Sequence, residues 1–475
     1  MTGQRKWIFH TVPQRGEFGY DTWLEAGSAE NATNTGVWAP MSGDAELGLV
    51  YAGVELPQTD YVGTTRPGNA LFSESLVALD CETGERRWHY QLTHHGLWDF
   101  DIPCAAILLD LPRPGGGVIK AVAQPSKQGF LFVLDRTNGE PVWPIPEQPV
   151  EIGNAPGEWY SPTQPVPSRP PPFTQQGFSE GDVIDWTPQL KARALAILAH
   201  YKQSGTYTPP SMVNDDNWGT ITVPESQGGA NWPGGSVDPE NCLFYIYSKA
   251  NPQVFGVEVN ASGQLVSARG GYGRGVNDNM GGSFGGSADP NPRVGNGGPI
   301  TADVKDGLDD PITRGVLSIA GLPILRPPWG RITALDLNDG TKMWEVAHGE
   351  TPDHVRNHPL LAGVDIPRTG QAGILGVLST RSLVICGDSG VFTDEQGRKA
   401  ARLRAYDKMS GAEVGAVLME QPQTGSPMTF MFDGVQHIVV ASGGFAGAEL
   451  IAYRLPNASA PAAAPVSSNR QTPDL

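Results

Sequence analysis

One hairpin recurs along this chain in nearly the same letters, and it limits the fold more than any other feature. It reads Val77-Ala78-Leu79-Asp80-Cys81-Glu82-Thr83-Gly84-Glu85-Arg86-Arg87-Trp88. It returns from Phe132 through Asp135 and Gly139 to Trp143, and again from Thr333 through Asp336 and Gly340 to Trp344. A weaker copy runs from Arg404 to Val414, a degenerate one from Val257 to Gly263, and Thr2 to Trp7 keeps only the tail of the unit. The alternating run before each Asp predicts a half-buried strand. The Asp caps the turn with its own side chain and the Gly supplies positive φ. The closing Trp is an apolar plate to set against the next unit. Such hairpins, as the outer strands of radially stacked sheets, predict an all-β chain with the architecture of a β-propeller. Unrelated hairpins in a β-sandwich are the competing arrangement, and three close copies speak against it.

The spacing is uneven. Trp88 to Trp143 is one blade, but Trp143 to Trp344 is too long for one. That interval holds a Pro-rich stretch from Pro162 to Pro172, an amphipathic helix predicted over Gln189–Gln203, and a Gly/Asn-rich loop from Gly270 to Gly298. Residues 1–455 are therefore read as one propeller, with insertions around 145–215 and 270–330 that leave its face, as a lid would. The Ala, Pro and Ser-rich residues 456–475 read as a disordered tail.

At 475 residues, with 60 Gly and 42 Pro, the chain suits a turn-rich repeat fold. A net charge of −17 argues against nucleic acid or anionic lipid as a partner. The four cysteines are far apart, with no metal or haem-attachment spacing, and are expected as buried free thiols. No apolar run is long enough for a membrane span, and no signal peptide is visible at the N-terminus.

Chemistry concentrates in His94-His95-Gly96-Leu97-Trp98-Asp99-Phe100-Asp101-Ile102-Pro103 and in Ser126-Lys127-Gln128-Gly129. A carboxylate and a lysine, each in a turn or at a strand start, can face each other across one site, as a base and a cation acting on one redox centre. Adjacent residues on a strand point to opposite faces. One histidine of the pair is therefore expected to line the pocket and the other to be structural.

Together with Thr35-Gly36-Val37-Trp38-Ala39-Pro40, these motifs resemble the quinoprotein alcohol and sugar dehydrogenases, which bind pyrroloquinoline quinone (PQQ). The resemblance runs from about Trp7 to about Pro456 and is closest to the membrane-type glucose dehydrogenase branch. It implies an eight-bladed propeller with the quinone near its axis. Asp99 matches the catalytic base, since an alcohol is a poor hydride donor until its proton is removed. Lys127 matches the cation at the quinone's reactive oxygens. Trp38 matches the indole stacked on the cofactor, Asn231 an amide contact with Trp232 beside it, and Leu375 an apolar contact.

The family also binds a divalent cation, Ca²⁺ or Mg²⁺. By position Gln58 takes the place of one ligand, with Glu55 and Asp60 as neighbouring oxygen donors, and an acidic ligand of the family falls before Met1. The resemblance places about five to six blades in this chain, lacking the N-terminal portion that carries adjacent cysteines and carboxylate-binding groups. It implies a periplasmic enzyme that oxidises an alcohol or sugar and passes electrons to an external acceptor, ubiquinone or cytochrome c. A non-catalytic scaffold and an inactive fragment are the rival readings.

Overall fold

The computed structural model describes residues 2–113, 115–268, 306–444 and 447–454. The Gly270–Gly298 loop and the 456–475 tail lie outside them. Strands dominate, and five antiparallel meanders follow one another among the described residues. The first pairs Ser42–Asp44, Leu49–Gly53, Ser75–Asp80 and Arg86–Gln91 in order. The second is Ile107–Pro112, Val118–Pro125 and Leu131–Asp135. The third is Gly235–Asp238, Leu243–Lys249, Gly330–Asp336 and Thr341–Ala347. The fourth runs Leu378–Ser379, Leu383–Gly387, Lys399–Asp407 and Glu413–Met419, with Phe392–Thr393 added at one side. The fifth is Met428–Phe432, Val435–Gly444 and Gly447–Arg454.

Consecutive meanders share their cores. Leu76, Ala78 and Trp88 of the first pack with Val122 and Phe132 of the second. Ala123, Leu131 and Val133 pack with Phe244 and Ile246 of the third, and Tyr245 and Ile332 with Val384 and Tyr406 of the fourth. Leu403 and Met419 then meet Val440 of the fifth. This face-to-face succession is what a propeller requires.

The repeat performs as its letters predict. Asp80 Oδ1 accepts from Glu82 N and Thr83 N at 3.0 Å each, and Gly84 takes φ +73°. Each docked Trp donates Nε1–H to the residue just after the next repeat's Asp. Trp88 reaches the Arg136 carbonyl (3.0 Å), Trp344 that of Lys408 (3.0 Å) and Trp7 that of Cys81 (3.1 Å). The indoles lie against Gly139, Gly411 and Gly84, where a Cβ would collide with the ring. A glycine there serves both the turn and the close approach.

Three local expectations change. The helix is Pro188–Leu198 and stops short of Gln203. Its apolar spacing continues, but the Lys202 backbone is diverted into pairing with Gly219 and Ile221. The hairpin near Gly263 forms, yet in a separate sheet with Ser211–Met212 and Thr220–Thr222 rather than in a meander. All four cysteines are free, three buried as expected, but Cys81 is exposed.

Candidate active site

In a meander, the connection between the second and third strands and the one leading to the next sheet emerge at the same end. The Asp–Gly hairpins occupy the opposite end. Trp38 precedes the first sheet, and Glu55 to Glu74 join its second and third strands. Asp99 follows its last strand, and Lys127 sits in the second sheet's second-to-third turn. Asn231 and Trp232 precede the third sheet, and Leu375 the fourth. Topology alone therefore gathers every candidate at one end.

There Lys127 Nζ donates to Asp99 Oδ1 at 3.0 Å, to the Asp99 carbonyl at 2.9 Å and to Asp101 Oδ2 at 2.9 Å. The alternation of Trp98-Asp99-Phe100-Asp101 explains the pairing. Trp98 and Phe100 turn into the core with Tyr207, Trp98 Nε1 donating to the Thr208 carbonyl at 2.8 Å. The two carboxylates are left for the lysine. Asp99 takes φ +59°, an uncommon backbone state that Asp and Asn tolerate best.

Charge balance separates the carboxyls. Burial raises the Asp99 pKa well above the usual carboxylate range; Lys127 opposes this, and the charges of Asp101 and Asp60 add to it. For Asp101 burial works upward too, but Lys127 and the Leu56 N–H (2.8 Å) hold it below its ordinary value. Burial works against the Lys127 ammonium, and Asp101 and Asp99 outweigh it, so its pKa rises. Lys127 thus favours the charged form of Asp101, while burial disfavours that of Asp99. Asp101 had no assigned role in the sequence reading; its i, i+2 spacing from Asp99 was the available signal.

Trp38 is 42% exposed, with Lys127 Nζ 6.0 Å from its ring centroid. Its loop is pinned by Glu55, whose Oε1 accepts from Gly36 N at 2.7 Å. Asn231 donates Nδ2–H to the Gln227 carbonyl (2.8 Å) and accepts from Trp232 N (2.6 Å). That loop is laced to the site by Gly229 N donating to the Lys127 carbonyl at 2.9 Å. Lys249 steadies it from below, bonded to Glu225 (2.5 Å) and Gln227 (2.7 Å). Leu375 is buried in the core shared by the third and fourth sheets. Gln58 is exposed and bonded to Thr33 Oγ1. Among the described residues no three His, Cys, Asp or Glu side chains converge as a metal site.

The histidines sit in a bend rather than on a strand, so strand alternation does not apply to them. His94 is half-buried, bonded to Gln91 and Glu147, and lines a cavity of about 320 Å³ with Glu147, His89 and Asn69. His95 is buried between the Gly68 carbonyl and Glu158.

Comparison with known proteins agrees with this fold. The family model described as PQQ, glucose/ethanol/alcohol dehydrogenase, β-propeller domain, matches residues 1–438. A probable quinate dehydrogenase (quinone) of Xanthomonas campestris pv. juglandis is 30% identical over 445 residues, 91% of this chain and 51% of the relative. The quinoprotein glucose dehydrogenase of Escherichia coli K12 is 31% identical over 436 residues, 88% of this chain and 49% of its own length. The glycerol dehydrogenase large subunit of Gluconobacter oxydans 621H is 31% identical over 441 residues, 88% and 54% of the two chains. The chain thus spans about half the length of these curated relatives. The crystal structure of quinohemoprotein alcohol dehydrogenase from Comamonas testosteroni superposes with a TM-score of 0.51 at 22% identity, covering 89% of this chain and 47% of that one, a likeness of fold. Among the described residues no helix is long and apolar enough to cross a membrane.

Proposed function

We propose that this chain, which belongs to the PQQ glucose/ethanol/alcohol dehydrogenase β-propeller family, oxidises an alcohol or sugar hydroxyl with Asp99 as base and Lys127 as the cation beside the quinone. The observation that carries this is the Asp99–Lys127–Asp101 cluster beside an exposed indole. The residues present fit a planar anionic cofactor: Trp38 offers an exposed indole and Lys127 a buried positive charge over its ring, 6.0 Å from the centroid. Asn231 and Trp232 stand on the adjoining loop. When bound, the quinone supplies the two-electron acceptor chemistry. Among the described residues no three His, Cys, Asp or Glu side chains assemble a divalent-cation site, so no step is assigned to a metal.

Asp99 receives the hydroxyl proton, and its raised pKa makes it a stronger base than an exposed aspartate. All three ammonium hydrogens of Lys127 are engaged within the cluster. Protonation of Asp99 weakens its hold on Nζ and frees one N–H to meet negative charge developing at the site. Asp101 keeps the ammonium in place meanwhile. The relatives act on glucose, glycerol and quinate by name, so the class proposed is a polyol or sugar. Electrons then pass to an external ubiquinone or cytochrome c, and the proposed compartment is the periplasm.

The direct test titrates the protein with PQQ, with and without Ca²⁺, and follows dye reduction with glucose, glycerol and ethanol. No quinone binding and no turnover would refute the proposal. Trp38→Ala is expected to weaken quinone binding about tenfold, because a stacked aromatic pair contributes about 0.5–1.5 kcal/mol beyond area burial and 1.4 kcal/mol is tenfold. The exposed indole carries little core packing, so the melting temperature should hold; fluorescence titration and a thermal melt check both.

The pH profile gives a second prediction. Asp99 must be ionised to accept a proton, so kcat/KM falls as pH drops through its raised pKa. Asp101→Asn removes a repelling charge and leaves Lys127 to Asp99 alone. Both changes favour the ionised form, so the acid limb moves to lower pH. A limb that stays in place or moves upward contradicts the assigned roles.

A further inference from the structure

Two buried groups outside the Asp99–Lys127 cluster each span the same pair of loops. One loop runs through residues 58–66; the other is the 94–101 segment that ends on the Asp99–Asp101 pair. Arg66 is 2% exposed, and its Nη2 donates both to the Gly96 carbonyl (2.7 Å) and to the Thr59 carbonyl (3.1 Å). Glu158 makes the second span. Its Oε1 meets His95 Nε2 at 3.1 Å, and its Oε2 accepts from Gly63 N at 2.6 Å. The His95 and Glu158 side chains are 0% and 2% exposed. Glu74 grips the other side of the Gly96 residue, accepting its N–H at 3.1 Å.

The chemistry of the His95–Glu158 contact is specific. Nδ1 of the ring faces the Gly68 carbonyl at 3.0 Å, and Nε2 faces a carboxyl oxygen. Each ring nitrogen thus faces an oxygen, one from a carbonyl and one from a carboxyl group. Glu158 stands at the tip of a ribbon closed by pairing of Glu147–Pro149 with Thr163–Pro165. The base of the same ribbon grips His94: Gln164 accepts from its N–H (2.8 Å) and donates to its carbonyl (2.7 Å). The Pro-rich excursion therefore holds the histidine pair one residue at a time. The held segment needs external support, since His95 and Asp99 both take positive φ, +47° and +59°.

We propose that Arg66 and Glu158 are positioning residues, twin clamps that fix the 94–101 segment, and with it Asp99, at a set distance from the 58–66 loop. This rests on the reading of Asp99 as the base. A base displaced by about 1 Å loses on the order of a hundredfold in rate. The clamps touch neither Trp38 nor Lys127, so cofactor affinity stays outside their reach.

The test compares Glu158→Ala, Glu158→Gln and Arg66→Lys with the unaltered protein. In Glu158→Ala, kcat with a polyol falls about tenfold or more, while KM and quinone affinity by tryptophan quenching stay within about threefold. Amide exchange at Gly96 and Leu56 speeds about tenfold, and the repeat hairpin at Val77 keeps its protection. Glu158→Gln restores part of kcat, since an amide keeps an oxygen for Gly63 and offers an N–H to the ring but loses the oxygen that accepts from Trp159 N. Arg66→Lys keeps the charge but is one bond shorter, so its nitrogen does not reach the point from which Nη2 serves both carbonyls, and it behaves like Glu158→Ala in milder form. Unchanged exchange at Gly96 and Leu56, or a kcat loss that only matches loss of folded protein in a melt, overturns the clamp. If the unaltered protein shows no quinone-dependent turnover, the functional reading fails and the exchange measurement alone decides the clamp.

Discussion

Asp99→Asn should abolish nearly all turnover while leaving the protein folded and able to bind quinone. The expected loss is about 10²- to 10⁴-fold in kcat, the range that a positioned general base contributes. Asparagine is the right replacement for a physical reason. The backbone at Asp99 has φ +59°, and Asn is among the few residues that tolerate that region, whereas Ala would add strain. The amide oxygen can still accept from Lys127 Nζ, and Asp101 remains as the ammonium's counter-ion. The lysine therefore keeps its place beside Trp38 and quinone affinity stays within about threefold. Dye reduction, fluorescence titration and a melt on one preparation separate the outcomes. Full turnover in Asp99→Asn would remove Asp99 from the chemistry. Lost affinity or lost folding would instead make it a structural residue.

The fold was legible in the chain because its signals are local. An Asp, a Gly and a Trp at fixed offsets specify the cap, the turn and the plate, and each does its work within one hairpin or against the next. The pairing of Asp99 with Lys127 was legible because both sit in turns at the same end of neighbouring sheets. Arg66, Glu74 and Glu158 were not, since nothing local distinguishes a buried charge from a solvated one. Glu158 lies in a Gly/Pro-rich stretch that reads as an exposed excursion, and its partner is 63 residues away. The helix that ends at Leu198 failed for the same reason: its periodicity continues, and only a distant strand bridge at Lys202 diverts it. Leu375 was singled out by family position alone, and its side chain lies in the core between two sheets.

Lys127→Met should be the most destabilising single change at the site. The side chain is about the same length and apolar, so packing survives, but Asp99 and Asp101 lose their shared counter-charge. Breaking a buried ion pair from one side costs about 3–5 kcal/mol, because the remaining charge stays desolvated. The pH dependence carries the sign. Without the ammonium, burial and mutual repulsion raise both carboxyl pKa values further in the folded state, above their unfolded values. Such groups penalise folding at pH above the raised pKa, and the penalty disappears as pH falls and the carboxyls protonate. The variant's stability deficit in urea is therefore largest at neutral to alkaline pH and shrinks toward mildly acidic pH. Adding Asp101→Asn to Lys127→Met removes one of the stranded charges, so the double variant should be more stable than Lys127→Met alone. Lys127→Arg keeps the charge and most of the stability, yet loses turnover, because a planar fork cannot place its donors where three ammonium hydrogens now point. A pH-independent deficit in Lys127→Met, or a double variant less stable than the single, would mean that these side chains are held by packing and not by charge.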